Sequence, residues 1–340
     1  MKSSAQNKIR SISYAKYGYY FILPFFIVYL IFQLVPLINT FRLSVYGNGN
    51  LAQDYVGMKN FAVLLFGGSN RTESALHRDV FNDLFNTLIL WFGNFIPQLG
   101  LSLLLAVWFT DINLKIKGKT FFKIVMYLPN IVTAASVAAL FLMLFSKTKY
   151  GPINSFLIDH GFVDANSPID FVRGKLQSRG VIMFAQTWMW FGNTMIMLMS
   201  AIMGISKSLF EAADIDGANS RQVFTKITLP LLRPMVVYTL VTSMIGGLQM
   251  WDLPYLYKEG TAWNKSTETI AVFIYNKFHI IPQNYGYSAA ASVILFVITS
   301  ALGCICFAMN VDKDDKKKKA LAKEQKKLAK LQSKSSFGGF

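Results

Sequence analysis

Few side chains in this sequence have the type and spacing for covalent chemistry. Cys304 and Cys306 lie two residues apart in an apolar run, poorly placed to pair with each other and too few for a zinc site. His77, His160 and His279 are scattered between apolar segments, so no metal or acid–base constellation is visible. No G-x-x-x-x-G-K-[ST] phosphate loop occurs, which leaves the chain without a means of hydrolysing ATP by itself. What remains is non-covalent: amides, a carboxylate and aromatic rings inside otherwise apolar runs. Gln186, Trp188, Trp190 and Asn193 fall in one run, Gln249, Trp251, Asp252 and Tyr255 in another, and Asn94 and Gln98, weaker candidates, in a third. At membrane depth such groups face a bundle interior or a wet path. The indoles and Tyr255 also suit an interfacial aromatic belt, and Asp252 suits a structural carboxylate near Lys258.

The elements that must position them are long and greasy. Of 340 residues, 53% are hydrophobic and 15% charged, whereas a soluble domain devotes about a quarter to charge. The net charge of +16 would raise nucleic acid as a partner in a soluble protein. Here the basic residues sit between apolar runs and in a tail after Val311, so membrane topology explains them and no nucleic-acid partner is expected. Six stretches, 18–38, 84–109, 121–145, 181–203, 236–255 and 288–309, are long enough to cross about 30 Å of hydrocarbon as helices. They are about twice the length that strands of a membrane barrel need. The predicted fold is all-α, a six-span polytopic membrane domain over 18–309. It lies between a cytoplasmic segment at 1–17 and a lysine-rich cytoplasmic tail at 310–340.

The first run lacks a small-residue cleavage pattern and continues through Gln33, Leu34 and Pro36, so it reads as an uncleaved span. With the N-terminus inside, the inner segments hold 22 of the 34 Lys and Arg, which places both termini in the cytoplasm. In the tail, Leu321, Leu328 and Leu331 fit one face of a short helix against anionic lipid; a solvated tail that enforces topology fits as well. Pro24, Pro36, Pro97, Pro129 and Pro254 interrupt the spans. Each marks either an ordinary kink or a helix opened beside a cavity.

Between the fourth and fifth spans, residues 204–235 read as a folded cytoplasmic loop. Ser208 and Glu211 have the spacing of a capping box that starts a helix, and Gly217 can end it in a left-handed conformation. Asn219 or Ser220 can cap a second short helix carrying Val223, Phe224 and Ile227, before Pro230 and Pro234. Two capped helices joined at a glycine make a stiff knob. It fits either a partner-docking element or an interfacial elbow.

The run Glu211-Ala212-Ala213, three residues, Gly217, nine residues, then Ile227-Thr228-Leu229-Pro230 resembles the EAA loop of the inner-membrane permeases of binding-protein-dependent ABC importers. The text Asp214-Ile215-Asp216-Gly217-Ala218 is similar to the sugar-importing branch. So are Trp251-Asp252-Leu253-Pro254-Tyr255, Thr267-Glu268-Thr269-Ile270, Ile274-Tyr275 and Asn284-Tyr285-Gly286-Tyr287, which resemble the first permease of maltose-type systems. Six spans without a large outer domain look like the simpler multiple-sugar, glycerol-phosphate or oligosaccharide permeases.

The resemblance implies the type I ABC importer permease fold in a bacterial inner membrane. It implies a homologous second permease subunit, two ATPase subunits and an extracytoplasmic sugar-binding protein as partners, besides membrane lipid. No cofactor is expected on this chain, with ATP and Mg on the partner ATPase, and no catalytic activity of its own. Glu211, Ala212, Ala213, Asp216, Gly217, Leu229 and Pro230 would form the ATPase-coupling element, with Glu211 accepting a charge-assisted bond from the ATPase. Gln186, Trp188, Trp190, Asn193, Gln249, Trp251, Asp252 and Tyr255 would line the sugar path, because sugars need amides or carboxylates beside aromatic faces. An ion-coupled secondary transporter, a docking or signalling membrane protein and an intramembrane enzyme are the competing classes. The first explains the spans but not the capped knob.

Overall fold

The structure, a computed structural model, describes residues 15–47, 54–111, 114, 116–258, 264–280 and 283–310. The lysine-rich tail and most of the N-terminal segment lie outside the described residues. Fourteen α-helices follow one another among the described residues: α1 (Ala15–Tyr29), α2 (Val35–Leu43), α3 (Lys59–Phe66), α4 (Arg71–Thr110), α5 (Lys119–Tyr127), α6 (Ala134–Leu144), α7 (Pro152–Asp159), α8 (Lys175–Met203), α9 (Lys207–Ile215), α10 (Ser220–Val223), α11 (Leu229–Leu248), α12 (Asp252–Leu256), α13 (Ile270–His279) and α14 (Tyr285–Asn310). An isolated bridge pairs Tyr46 with Tyr55; otherwise the described chain is all-α. Four helical stretches are long and apolar enough to cross a membrane, and six if each of two bent pairs counts as one span.

The helices depart from the predicted spans in ways that have local causes. Helix α4 starts at Arg71 rather than near 84, capped by Asn70, whose side chain accepts from the Glu73 N–H at 2.8 Å. Its first turns are polar and fail an apolar-run criterion, yet Leu76 and Val80 recur at helical spacing and bury against Val63 and Leu64 of α3. At 40 residues the rod is about 60 Å long at 1.5 Å per residue, well over the hydrocarbon thickness. The expected span 121–145, marked at Pro129 for a kink or an opening, is two helices bent by 95°. A 3₁₀ turn at Leu128–Ile131 carries Pro129, the chain then extends, and Thr133 caps α6 by accepting from the Ser136 N–H. The expected span 236–255 is likewise divided: α11 ends at Leu248 and α12 begins at Asp252.

Two π turns have a common origin. Leu30–Leu34 precedes Pro36 and Phe224–Thr228 precedes Pro230, with one residue between turn and proline in each case. Proline offers no N–H and its ring pushes away the carbonyl four residues back. The ladder widens before it: the Val35 N–H donates to Leu30 O and the Leu229 N–H to Phe224 O, both five residues apart. The helix thus passes through each proline with a widened turn rather than a break.

Helix α4 runs through all three apolar cores with α8 beside it. One core joins α3, α4, α11, α13 and α14 around Trp91, Leu248 and Phe273. The second sets Leu90 of α4 against α6, α8 and α12 through Val137, Ile182 and Leu253. The third packs Leu105 and Ala106 against Met195 and Leu198 of α8 and Leu232 of α11. The rod made by α1 and α2 is different, for its apolar side chains are exposed along most of its length.

Close packing of α8 on α5 depends on Gly192, where a Cβ would overlap the carbonyl oxygen of Met126 and crowd Cα of Tyr127. Gly192→Val is expected to cost about 1–3 kcal/mol, the usual range for overpacking, read as a lower melting midpoint in detergent. Truncating Met126 to Ala should fail to restore it, because the obstruction is backbone. Recovery in the double variant would show that the contact is softer than the geometry requires.

Candidate functional site

A cavity of about 400 Å³ opens between α4, α8 and α11, closed at one side by the break after α11. Each helix contributes one stripe at helical spacing: Trp91, Asn94 and Gln98 from α4; Gln186, Trp190, Asn193 and Met197 from α8; Tyr238, Thr242 and Gly246 from α11. The break adds Gln249, Met250, Trp251 and Asp252. Gln98 Nε2 donates to Thr194 Oγ1 at 2.8 Å and Trp91 Nε1 to Ser243 Oγ at 3.2 Å, which fix the wall. Ser102 Oγ lies 2.6 Å from Gln98 O and 2.7 Å from Phe191 O, holding α4 close to α8. Gly247 is required here: a Cβ would overlap Cδ1 of Trp91.

Six of the eight path residues expected from sequence, Gln186, Trp190, Asn193, Gln249, Trp251 and Asp252, line this cavity. So do the two weaker candidates, Asn94 and Gln98. Trp188 does not. Two residues from Trp190 on a helix is about 200° round the axis, and its ring lies 6.0 Å from that of Phe141 on the other side of α8. Tyr255 also stands behind the wall. It stacks on Trp251 at 4.7 Å, meets Tyr275 edge-on at 4.9 Å, and carries Lys258 Nζ 4.1 Å above its ring. The sequence reading missed Trp91, Tyr238, Thr242 and Ser243. Tyr238 and Thr242 stand four apart in the fifth run, as do Thr239 and Ser243, a signal hidden because a few hydroxyls hardly lower the average of an apolar run.

The break at Gln249 to Trp251 is held from outside the helix. Thr269 Oγ1 donates to Met250 O at 2.6 Å, and Thr269 belongs to a short strap, 264–269, laid across α4 at Asn86 and the first turns of α8. Asn86 Nδ2 donates to Lys265 O at 2.8 Å and to Glu268 O at 3.0 Å, Arg179 Nε to Ser266 O at 2.8 Å, and Asn264 Nδ2 to Val172 O at 2.7 Å. Lys265 Nζ pairs with Glu268 at 2.8 Å and Asp79 at 3.6 Å. Asp83 is buried beneath the strap, and neither carboxyl oxygen has a hydrogen-bond partner among the described residues.

At the other end of α8 the chain bends by 73° into α9. The helix begins at Lys207 after Ser206, whose hydroxyl lies 2.8 Å from that of Ser208. The expected capping box between Ser208 and Glu211 is therefore not formed, since both residues already lie inside the helix. Gly217 at φ +72° ends it, with Ala218 N–H to Ala213 O at 2.9 Å and Gly217 N–H to Asp214 O at 3.1 Å, a Schellman closure. Asn219 caps α10 reciprocally with Gln222 at 2.9 and 2.8 Å. Ala213 is buried, whereas Glu211, Ala212, Asp216 and Gly217, like Leu229 and Pro230 further on, are exposed. Leu209, Ile215 and Met203 leave apolar surface around them.

Residues 98–311 match the family described as the binding-protein-dependent transport system inner membrane component. The chain belongs to this family. Among relatives of this permease, the arabinooligosaccharides transport system permease protein AraP of Bacillus subtilis (strain 168) is 27% identical over 311 residues, 91% of this chain and 93% of that one. The sn-glycerol-3-phosphate transport system permease protein UgpA of Agrobacterium fabrum is 30% identical over 271 residues, 79% of this chain and 84% of that one. Among solved structures, a chain of a bacterial ABC transporter involved in the import of the acidic polysaccharide alginate superposes with a TM-score of 0.73. It is 24% identical and covers 88% of this chain and 96% of that one. The permease thus has the fold of an ABC importer's membrane subunit. Among the described residues no group of three or more His, Cys, Asp or Glu could hold a metal ion.

The strap yields a test of what holds the break. Burial works against the charge on Lys265, but the hydrogen bond to Glu268 and the carboxylates of Glu268 and Asp79 outweigh it and hold the ammonium above its ordinary value. A raised value in the fold stabilises below the ordinary lysine range, and that contribution is lost as the pH climbs through the raised value. Lys265→Met is expected to lower the melting midpoint by a similar amount across neutral pH, with the deficit shrinking only on the alkaline side. Lys265→Met/Glu268→Gln should recover most of it.

Proposed function

We propose that this permease is the membrane subunit of an ATP-driven importer of sugars or oligosaccharides, working by alternating access coupled through the loop at 204–235. The observation that carries the reading is a shared backbone: α8 lines the cavity through Gln186 to Met197 and runs, after one bend, into exposed α9. A push on α9 is a push on the cavity wall. The chemistry of that wall, amides beside indoles and a phenol, is what a carbohydrate requires. Relatives named for arabinooligosaccharides and for lactose support the same class.

In this reading a homologous second permease completes the path, two ATPase subunits bind beneath, and an extracytoplasmic binding protein delivers the solute. Nucleotide and Mg sit on the ATPase. Glu211 and Asp216 offer carboxylates to basic groups of the ATPase. Ala212, Leu229 and Pro230 leave the surface low, and the Schellman turn at Gly217 makes α9 rigid enough to transmit force. In this reading α9 and both termini lie on the cytoplasmic side, which the excess of Lys and Arg in those segments supports, with the strap over the opposite end of α8. The residues at 1–17 and 310–340 then flank the membrane domain on that side. A ligand shifts such a machine only by binding its two states unequally.

Glu211→Ala in the assembled transporter is expected to lower binding-protein-stimulated ATP hydrolysis and uptake by about 10- to 100-fold, the scale of one lost charge-assisted contact. Gly217→Val strains the left-handed turn and should do the same, with membrane insertion unchanged in both. Normal uptake by both variants would remove the coupling assignment.

A further inference from the structure

We propose that the cavity selects uncharged saccharides and turns away those bearing uronate, phosphate or sulfate groups, an inference that rests on the carbohydrate reading above. The wall is polar without being cationic. Among the described residues lining it there is no Lys, Arg or His, and the carboxylate is that of Asp252. An anionic sugar entering would lose hydration with no countercharge to replace it, and the Asp252 carboxylate on the wall would repel it.

The nearby cations are engaged elsewhere. Arg179 donates to Ser266 O and to the side chain of Asn86. Lys265 pairs with Glu268 and Asp79. Lys258 lies over the ring of Tyr255, behind Trp251. The positive feature that does reach the cavity is the N-terminus of α6, where Ala134 lines the wall. It amounts to about half a charge at most, and Thr133 already accepts from the Ser136 N–H there. The full charge on Asp252 outweighs it.

What the wall does offer suits hydroxyls. Gln186, Asn193 and Gln249 supply both donors and acceptors, Asp252 accepts from paired hydroxyls, and Trp190 and Trp251 provide faces for the apolar side of a sugar ring. The indole N–H of Trp251 is buried with no acceptor among the described residues, a donor available to a ligand oxygen once the wall shifts. The fold itself carries no such preference, since it is shared with a transporter of an acidic polysaccharide. Selection by charge is a property of these side chains. A second permease adds its own residues to the path, and variants at Asp252 read the half built here.

The test uses the assembled transporter without its binding protein, so that delivery does not filter the ligands. Quenching of tryptophan fluorescence is titrated with neutral trisaccharides (arabinotriose, maltotriose) and with trigalacturonate. The neutral probes are expected to bind at least about tenfold more tightly, a difference of about 1.4 kcal/mol. Asp252→Lys should narrow or reverse that ratio, and Asp252→Asn should shift it part of the way. Equal or tighter binding of trigalacturonate to the unaltered transporter overturns the charge rule and leaves the carbohydrate reading standing. A ratio that does not move in either variant overturns the assignment to Asp252. Failure of every saccharide, neutral and anionic, to bind overturns both readings.

Discussion

In hydrocarbon a backbone N–H or C=O without a partner costs several kcal/mol, because no water is there to replace it. Every irregularity inside this bundle answers to that cost. The π turns before Pro36 and Pro230 keep the ladder closed by lengthening it one residue. The bend at Pro129 is accepted where Thr133 restarts a helix and Asn130 Nδ2 donates to Met189 O at 3.2 Å. The opening after α11 exists because Thr269 Oγ1 takes the carbonyl of Met250. Helices are interrupted where another side chain is already in place to receive what is freed.

The cavity follows from the last of these interruptions. If α11 continued unbroken, Trp251 and Asp252 would be carried round the axis and away from α8. Broken after Leu248, the chain presents Gln249, Trp251 and Asp252 to the cavity lined by Gln186, Trp190 and Asn193. Thr269 can do its part because the strap is fixed by Asn86, Arg179 and the Lys265–Glu268 pair. Polar residues at the end of the bundle remote from α9 thus determine the shape of a site deeper in.

Much of this was legible in the residues. Apolar runs located the long helical stretches, and offsets from Glu211 to Pro230 located the knob, its terminating glycine and the Asn219 cap. What failed has physical reasons. Pro129 marked where the third run bends, but a hydropathy run cannot give the size of the bend, since a straight helix and a bent one are equally apolar. It also ends α4 too late at its N-terminus, where Leu76 and Val80 bury against α3 while their polar neighbours lower the average. Residue type alone grouped Trp188 with Trp190 and Tyr255 with Trp251, though helical geometry puts the first pair on opposite sides of α8. The capping box at Ser208 matched a pattern whose register lay two residues after the true N-cap, Ser206.

On the proposed reading, the two ends of α8 let one helix serve both a solute and an energy source. Near Arg179 it is tied to the strap, and beyond Met203 it becomes the exposed knob; between them lies the cavity stripe. At 1.5 Å per residue, Arg179 and Met203 are about 36 Å apart, further than any single contact reaches. A change at the knob therefore has to travel as motion of the whole helix. The small contact at Gly192, where α8 rides directly on the backbone of α5, lets it do so as a rigid rod, since no side chain intervenes to absorb the shift. On the proposed reading, coupling rests on close backbone packing along one helix, held at one end by hydrogen bonds and bent at the other into exposed α9.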